Sequence, residues 1–124
     1  MEAKELRIWN LVERTNKQTK EKLTLELTAS CILDISCNGV LSSFNYEPIP
    51  LTEEWLLKFG FETKGINRPK WTKWKVDLIE DEKGIFSFDE SRIYIDIEFV
   101  HQLQNLYFAL TGEELELIKE ATEI

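Results

Sequence analysis

Apolar and polar residues alternate along the first third of the chain. Leu6 and Ile8 alternate with Arg7 and Trp9; a polar stretch from Thr15 to Lys22 then reads as a turn. Beyond it, Leu23, Leu25 and Leu27 alternate with Thr24, Glu26 and Thr28. A period of two marks half-buried strands, because successive side chains leave opposite faces. The apolar run from Cys31 to Cys37 fits one further strand. Asn38-Gly39, followed by Val40 to Tyr46, predicts a hairpin, since both turn residues tolerate positive φ.

The segment from Pro48 to Gly60 (PIPLTEEWLLKFG) predicts a short helix. Thr52 can cap it, Glu53 and Glu54 sit at the positive end of its dipole and Lys58 at the negative end. Leu51 and Leu56 are spaced as a hydrophobic staple, and Gly60 supplies a left-handed stop. A β meander follows: Trp74, Val76 and Leu78 alternate with Lys73, Lys75 and Asp77; a polar turn lies at Asp81 to Gly84; then come Phe86 and Phe88, and Ile93, Ile95, Ile97 and Phe99. At Val100 the period changes to about 3.6. Val100, Leu103, Leu106, Tyr107 and Leu110 then form one helical face, and Thr111 with Glu114 matches a capping box that opens a second C-terminal helix. The pattern predicts an α+β fold: an antiparallel sheet or small open barrel packed by about three short helices, two of them C-terminal.

Two stretches, Pro48 to Phe61 (PIPLTEEWLLKFGF) and His101 to Leu115 (HQLQNLYFALTGEEL), resemble a family of small uncharacterised proteins from phages, prophages and mobile elements of Bacteroidetes. Leu6 to Val12 is similar to that family's opening strand, with Trp9 standing where the family has Gly. The resemblance implies a mobile-element gene product acting in a bacterial cytoplasm. By analogy with other small phage proteins, it implies an anti-defence factor that inhibits or sequesters.

Length, at 124 residues, fits a single domain over 1–124. The net charge of −8 argues against duplex nucleic acid and anionic membranes as partners. There is no run of 18 apolar residues, and the Met1 end shows no signal-peptide pattern, so a cytoplasmic location is expected. One histidine, His101, and two cysteines in an apolar strand leave little from which to build a catalytic site. Read as a strand, Cys31 and Cys37 lie about 20 Å apart, beyond disulfide reach. Asp96 and Glu98 share a strand face, which reads as solvated rather than as an acid–base pair. No spacing fits a metal or phosphate-loop motif, so neither a metal nor a cofactor is expected.

Charge is unevenly placed. Lys64 to Lys75 (KGINRPKWTKWK) carries +5, whereas residues 1–63 carry −3 and 76–124 carry −10. Trp71 and Trp74 are interleaved with these bases, the pairing of cation and aromatic face that holds a nucleotide. The candidate ligand-binding residues are Arg68, Lys70, Trp71, Lys73, Trp74 and Lys75. The same segment also fits a solvated edge on which Lys discourages aggregation. The helix from Val100 to Leu110 has no charged side chain; its Gln104 and Asn105 are further candidates for a ligand or partner, and packing within the chain is the other reading. The expected function is non-catalytic binding of a small anionic, nucleotide-like ligand. The alternative is a protein–protein module, as an inhibitor of a host protein or as a homo-oligomer.

Overall fold

A computed structural model describes residues 3–37, 43–64, 70–73, 76–90 and 93–118. The fold is α+β, with two antiparallel sheets and, among the described residues, three α-helices. Neither sheet closes into a barrel. The chain divides into two compact units, Met1–Pro50 with Phe99–His101, and Leu51–Glu98 with Gln102–Ile124.

In the first unit, β1 (Leu11–Asn16) is the central strand of the order β2-β1-β3, flanked by β2 (Lys22–Glu26) and β3 (Phe44–Glu47). The polar turn between β1 and β2 is held by Asn16 Oδ1, which accepts from the Gln18 and Thr19 N–H groups at 2.9 and 3.0 Å. Two expectations fail here. Leu6 to Trp9 is not a strand: a 3-10 turn at Ala3–Glu5 leads into a tight turn closed by Asn10 N–H on the Arg7 carbonyl at 3.1 Å. The run expected as a strand from Cys31 is instead helix α1 (Ala29–Ser36). Thr28 caps it, accepting from the Cys31 N–H at 3.3 Å, and Cys31, Ile32 and Ile35 fall on one helical stripe against Leu6, Val12 and Leu27. Cys31 and Cys37 are then separated by a helical rise of about 9 Å. Both are free thiols. The Asn38-Gly39 hairpin lies outside the described residues.

In the second unit, α2 (Glu53–Lys58) forms as its end signals predict. Thr52 Oγ1 accepts from the Trp55 N–H at 3.4 Å, Leu51 and Leu56 are buried as the staple requires, and Gly60 turns left-handed at φ +88°. The sheet is a meander in the order β4-β5-β6-β7-β8: β4 (Glu62–Lys64), β5 (Lys70–Lys73), β6 (Val76–Glu80), β7 (Phe86–Glu90) and β8 (Ile93–Ile97). The pairs Trp71↔Leu78, Leu78↔Phe88 and Phe86↔Ile97 place one apolar row on a single face. The other face carries Lys70, Asp77, Ser87 and Asp96, the in–out alternation of an antiparallel sheet. Asp96 accepts from Ser87 Oγ at 2.9 Å.

Register moves Lys73. It pairs with Val76 across the β5–β6 ladder, so the alternation read continuously through this segment breaks between two strands. Lys73 therefore shares the apolar face of Trp71 and Val76 instead of the face of Asp77.

Helix α3 (Val100–Thr111) ends where a second helix was expected to begin. Thr111 is its last residue, with its hydroxyl donating to the Tyr107 carbonyl at 2.8 Å, and Gly112 takes φ +78°. A left-handed glycine directly after Thr111 ends one helix and does not open another. Residues 113–118 are non-helical; Leu115 is buried, and Ile118 N–H donates to the Lys58 carbonyl of α2 at 2.8 Å.

Replacing Gly112 with Ala should cost about 1 kcal/mol for the left-handed backbone alone. Gly60→Ala should cost more, because its Cβ would also meet Ile118 Cγ2 at 3.1 Å and Lys73 Nζ at 3.3 Å. Urea unfolding of the two variants checks this, and equal losses would show that the surroundings of Gly60 yield freely.

Candidate functional site

Within the described part of the basic segment, Trp71 and Lys73 are spent inside the fold. Lys70 is exposed, and its Nζ lies 3.5 Å from Asp77 Oδ2, diagonally across the β5–β6 ladder. Trp71 is 4% exposed, and its indole N–H donates to Glu80 Oε1 at 3.1 Å. An indole sealed into the apolar row cannot stack on a ligand base. Burial pushes the Glu80 carboxyl above its ordinary value, with Glu53 adding to the rise against the Trp71 hydrogen bond.

Lys73 is the most committed. Its ammonium donates to the carbonyl of Phe59, the C-cap residue of α2, and sits 5.8 Å from the centroid of the Tyr107 ring. A cation there meets the negative end of the helix dipole and one of its open carbonyls. Burial holds its pKa below the ordinary lysine value, and Glu116 partly offsets this. Arg68, Trp74 and Lys75 lie outside the described residues.

The uncharged helix face packs within the chain at two of its four polar positions. His101 and Gln104 are buried, Asn105 is half-buried, and Gln102 Oε1 accepts from the Glu98 N–H at 2.8 Å. His101 is fully buried. Its Nε2 lies 2.9 Å from Glu5 Oε1, and because a carboxylate only accepts, Nε2 carries the proton. The ring stacks on Phe99 at 5.9 Å. This arrangement ties the N-terminal 3-10 turn to the start of α3 and offers no face to a substrate.

Sequence reasoning missed two features. One is the set around Cys31, which the strand reading left inert. Thr28 Oγ1 lies 3.3 Å from Cys31 Sγ. Burial pushes the thiol up, but Thr28, Tyr46 and the Arg14 charge outweigh it and hold the pKa below the ordinary value. Burial, then Cys31, push the Tyr46 hydroxyl up to about 12. Arg14 is itself seated over the Phe44 ring at 4.0 Å.

The other is the Arg7–Asn10 turn. Trp9, its third residue, has φ +83° and is 55% exposed; Ile8 beside it is 46% exposed. A positive φ at this turn position is normally the place of Gly or Asn, and a bulky residue there is an outlier. Asn10 anchors the turn from beneath: it is fully buried, and its Oδ1 accepts from the Arg7 N–H at 2.6 Å. The Trp9 N–H donates to the Leu27 carbonyl at 3.0 Å. No local preference in the sequence signals this placement.

Among the described residues, no group of three or more His, Cys, Asp or Glu side chains could hold a metal ion. No helix among them is long and apolar enough to cross a membrane. The chain matches no family model, and no curated protein or solved structure is significantly similar to it.

Two outcomes follow from these placements. Lys73→Gln leaves the α2 terminus without its cation and should destabilise the protein by about 1–2 kcal/mol, measured by urea unfolding. Alkylation of Cys31, followed against pH by peptide mass spectrometry, should show a midpoint below the ordinary cysteine value; Tyr46→Phe should move that midpoint upward by removing a hydrogen bond to the thiolate.

Proposed function

We propose that the protein is a non-catalytic binding module whose partner is another protein, with Trp9 and Ile8 as its anchor. The observation that carries this reading is a large aromatic held exposed on a left-handed backbone. That conformation costs about 1–2 kcal/mol for an L-residue. Strain of this kind persists where the surroundings enforce it, and it gathers at functional positions. Trp is also the residue type most enriched among the few side chains that dominate protein–protein affinity.

A non-catalytic role is supported by the sealing of His101, the chain's single histidine, against Glu5 and Phe99. Sequestration of a small nucleotide-like anion draws no support from the described residues, where Trp71 and Lys73 are engaged within the fold. The partner implied by the mobile-element resemblance is a protein of the bacterial host.

Trp9→Gly separates function from structure. Glycine relieves the backbone strain, so the variant should be more stable than the parent by about 0.5–1 kcal/mol. It should also lose the host protein that the parent captures from lysate. A variant that melts lower than the parent would mean that Trp9 serves the fold, and the anchor reading would be wrong.

A further inference from the structure

The three-stranded sheet ends on β2, which has no strand on its outer side among the described residues. Its ladder with β1 decides which backbone groups face outward. Leu27 N–H donates to the Asn10 carbonyl and Asn16 N–H to that of Glu21. With the register Leu11↔Glu26, residues Glu21, Leu23, Leu25 and Leu27 therefore turn their N–H and C=O toward β1. The amide groups of Lys22, Thr24 and Glu26 face away from it. Every side chain of β2 is exposed except half-buried Leu25. An open ladder edge is a template for another strand.

We propose that β2 pairs antiparallel with β2 of a second copy, about a two-fold axis through Thr24. Three observations fit this occupant. The strand reads Lys22-Leu23-Thr24-Leu25-Glu26, so pairing about Thr24 sets Lys22 opposite Glu26, Leu23 opposite Leu25 and Thr24 opposite itself. The same register brings the outward amides of Lys22, Thr24 and Glu26 against the outward amides of the other copy, so backbone parity and side-chain charge select one alignment. Finally, residues 20–26 hold two Lys and two Glu, a neutral stretch on a chain of net charge −8.

The interface extends an existing apolar row. Val12 faces Leu25 across the β1–β2 ladder, and Leu25 would face Leu23 of the second copy, covering a leucine that is 53% exposed in the single chain. The other edges fit less well. β3 and β8 carry no opposite charges to match across a two-fold axis, and β4 repeats the acid–base order over three residues alone. The pairing stands apart from the Trp9 reading, since β2 supplies all of its contacts.

Sedimentation equilibrium across a wide concentration range tests the proposal. The average mass should rise from 14.6 kDa toward twice that value. Thr24→Pro removes an outward N–H that β1 does not use, and should stay monomeric with its melting temperature retained. Lys22→Glu and Glu26→Lys should each weaken association by about tenfold, since each turns two attractive exposed pairs into repulsive ones. The double swap should restore it. Trp9→Gly should associate as the parent does while losing host-protein capture. A parent chain that remains monomeric at the highest concentration, a Thr24→Pro variant that still dimerises, or a double swap that fails to restore association would each overturn the proposal.

Discussion

A six-residue helix leaves most of its carbonyls without intrahelical partners, and in α2 those open groups organise much of the second unit around them. Gly60 turns the backbone left-handed immediately beyond the helix. Ile118 N–H then reaches the Lys58 carbonyl, and the Lys73 ammonium reaches that of Phe59. The C-terminal segment and β5 are thus both tied to the end of a helix whose own start depends on one threonine. Lys73 can occupy this position because its register with Val76 turns it onto the apolar face. The price of that position is a partly desolvated ammonium. A lysine held this way is structural, and the charge it contributes to the basic segment is not free to meet a ligand.

The first unit follows a different constraint. Its small core of Leu6, Val12 and Leu27 needs a cover, and α1 provides it with Cys31, Ile32 and Ile35. Packing a helix N-terminus over a sheet brings Thr28, Tyr46 and Arg14 around the Cys31 thiol, which explains a lowered pKa at a partly buried cysteine. One face of the sheet is then used, while Leu23 of β2 and the Ile8 and Trp9 side chains of the turn stay about half exposed. Exposed apolar side chains therefore remain where a small unit has more hydrophobic residues than its core can enclose.

Some of this was legible in the residues. The α2 signals act within one or two turns of chain: Thr52, the Leu51–Leu56 staple and Gly60 all behave as their positions require. The alternation in β6 and β7 was equally local. The run at Cys31 was not, because seven apolar-rich residues without a breaker satisfy a strand and a helix alike. Thr111 was misread for a related reason: its capping-box partner is present, but the glycine between them turns the chain away from a new helix. For the candidate ligand residues, side-chain chemistry was visible and orientation was not. Trp71 and Lys73 have the right groups for an anion, but they point into the fold.

By itself the sequence determined the α+β class, the acidic character, the single histidine and the helix whose ends are marked by local chemistry. These depend on composition or on contacts a few residues apart, where propensity and capping are decisive. Tertiary structure alone decided that Lys73 serves a helix end, that His101 is buried against Glu5, and that Trp9 stays exposed on a left-handed turn. Each outcome depends on strand register or on partners far along the chain. A one-residue change of register reverses the face of every side chain, so long-range pairing overrides what local pattern suggests.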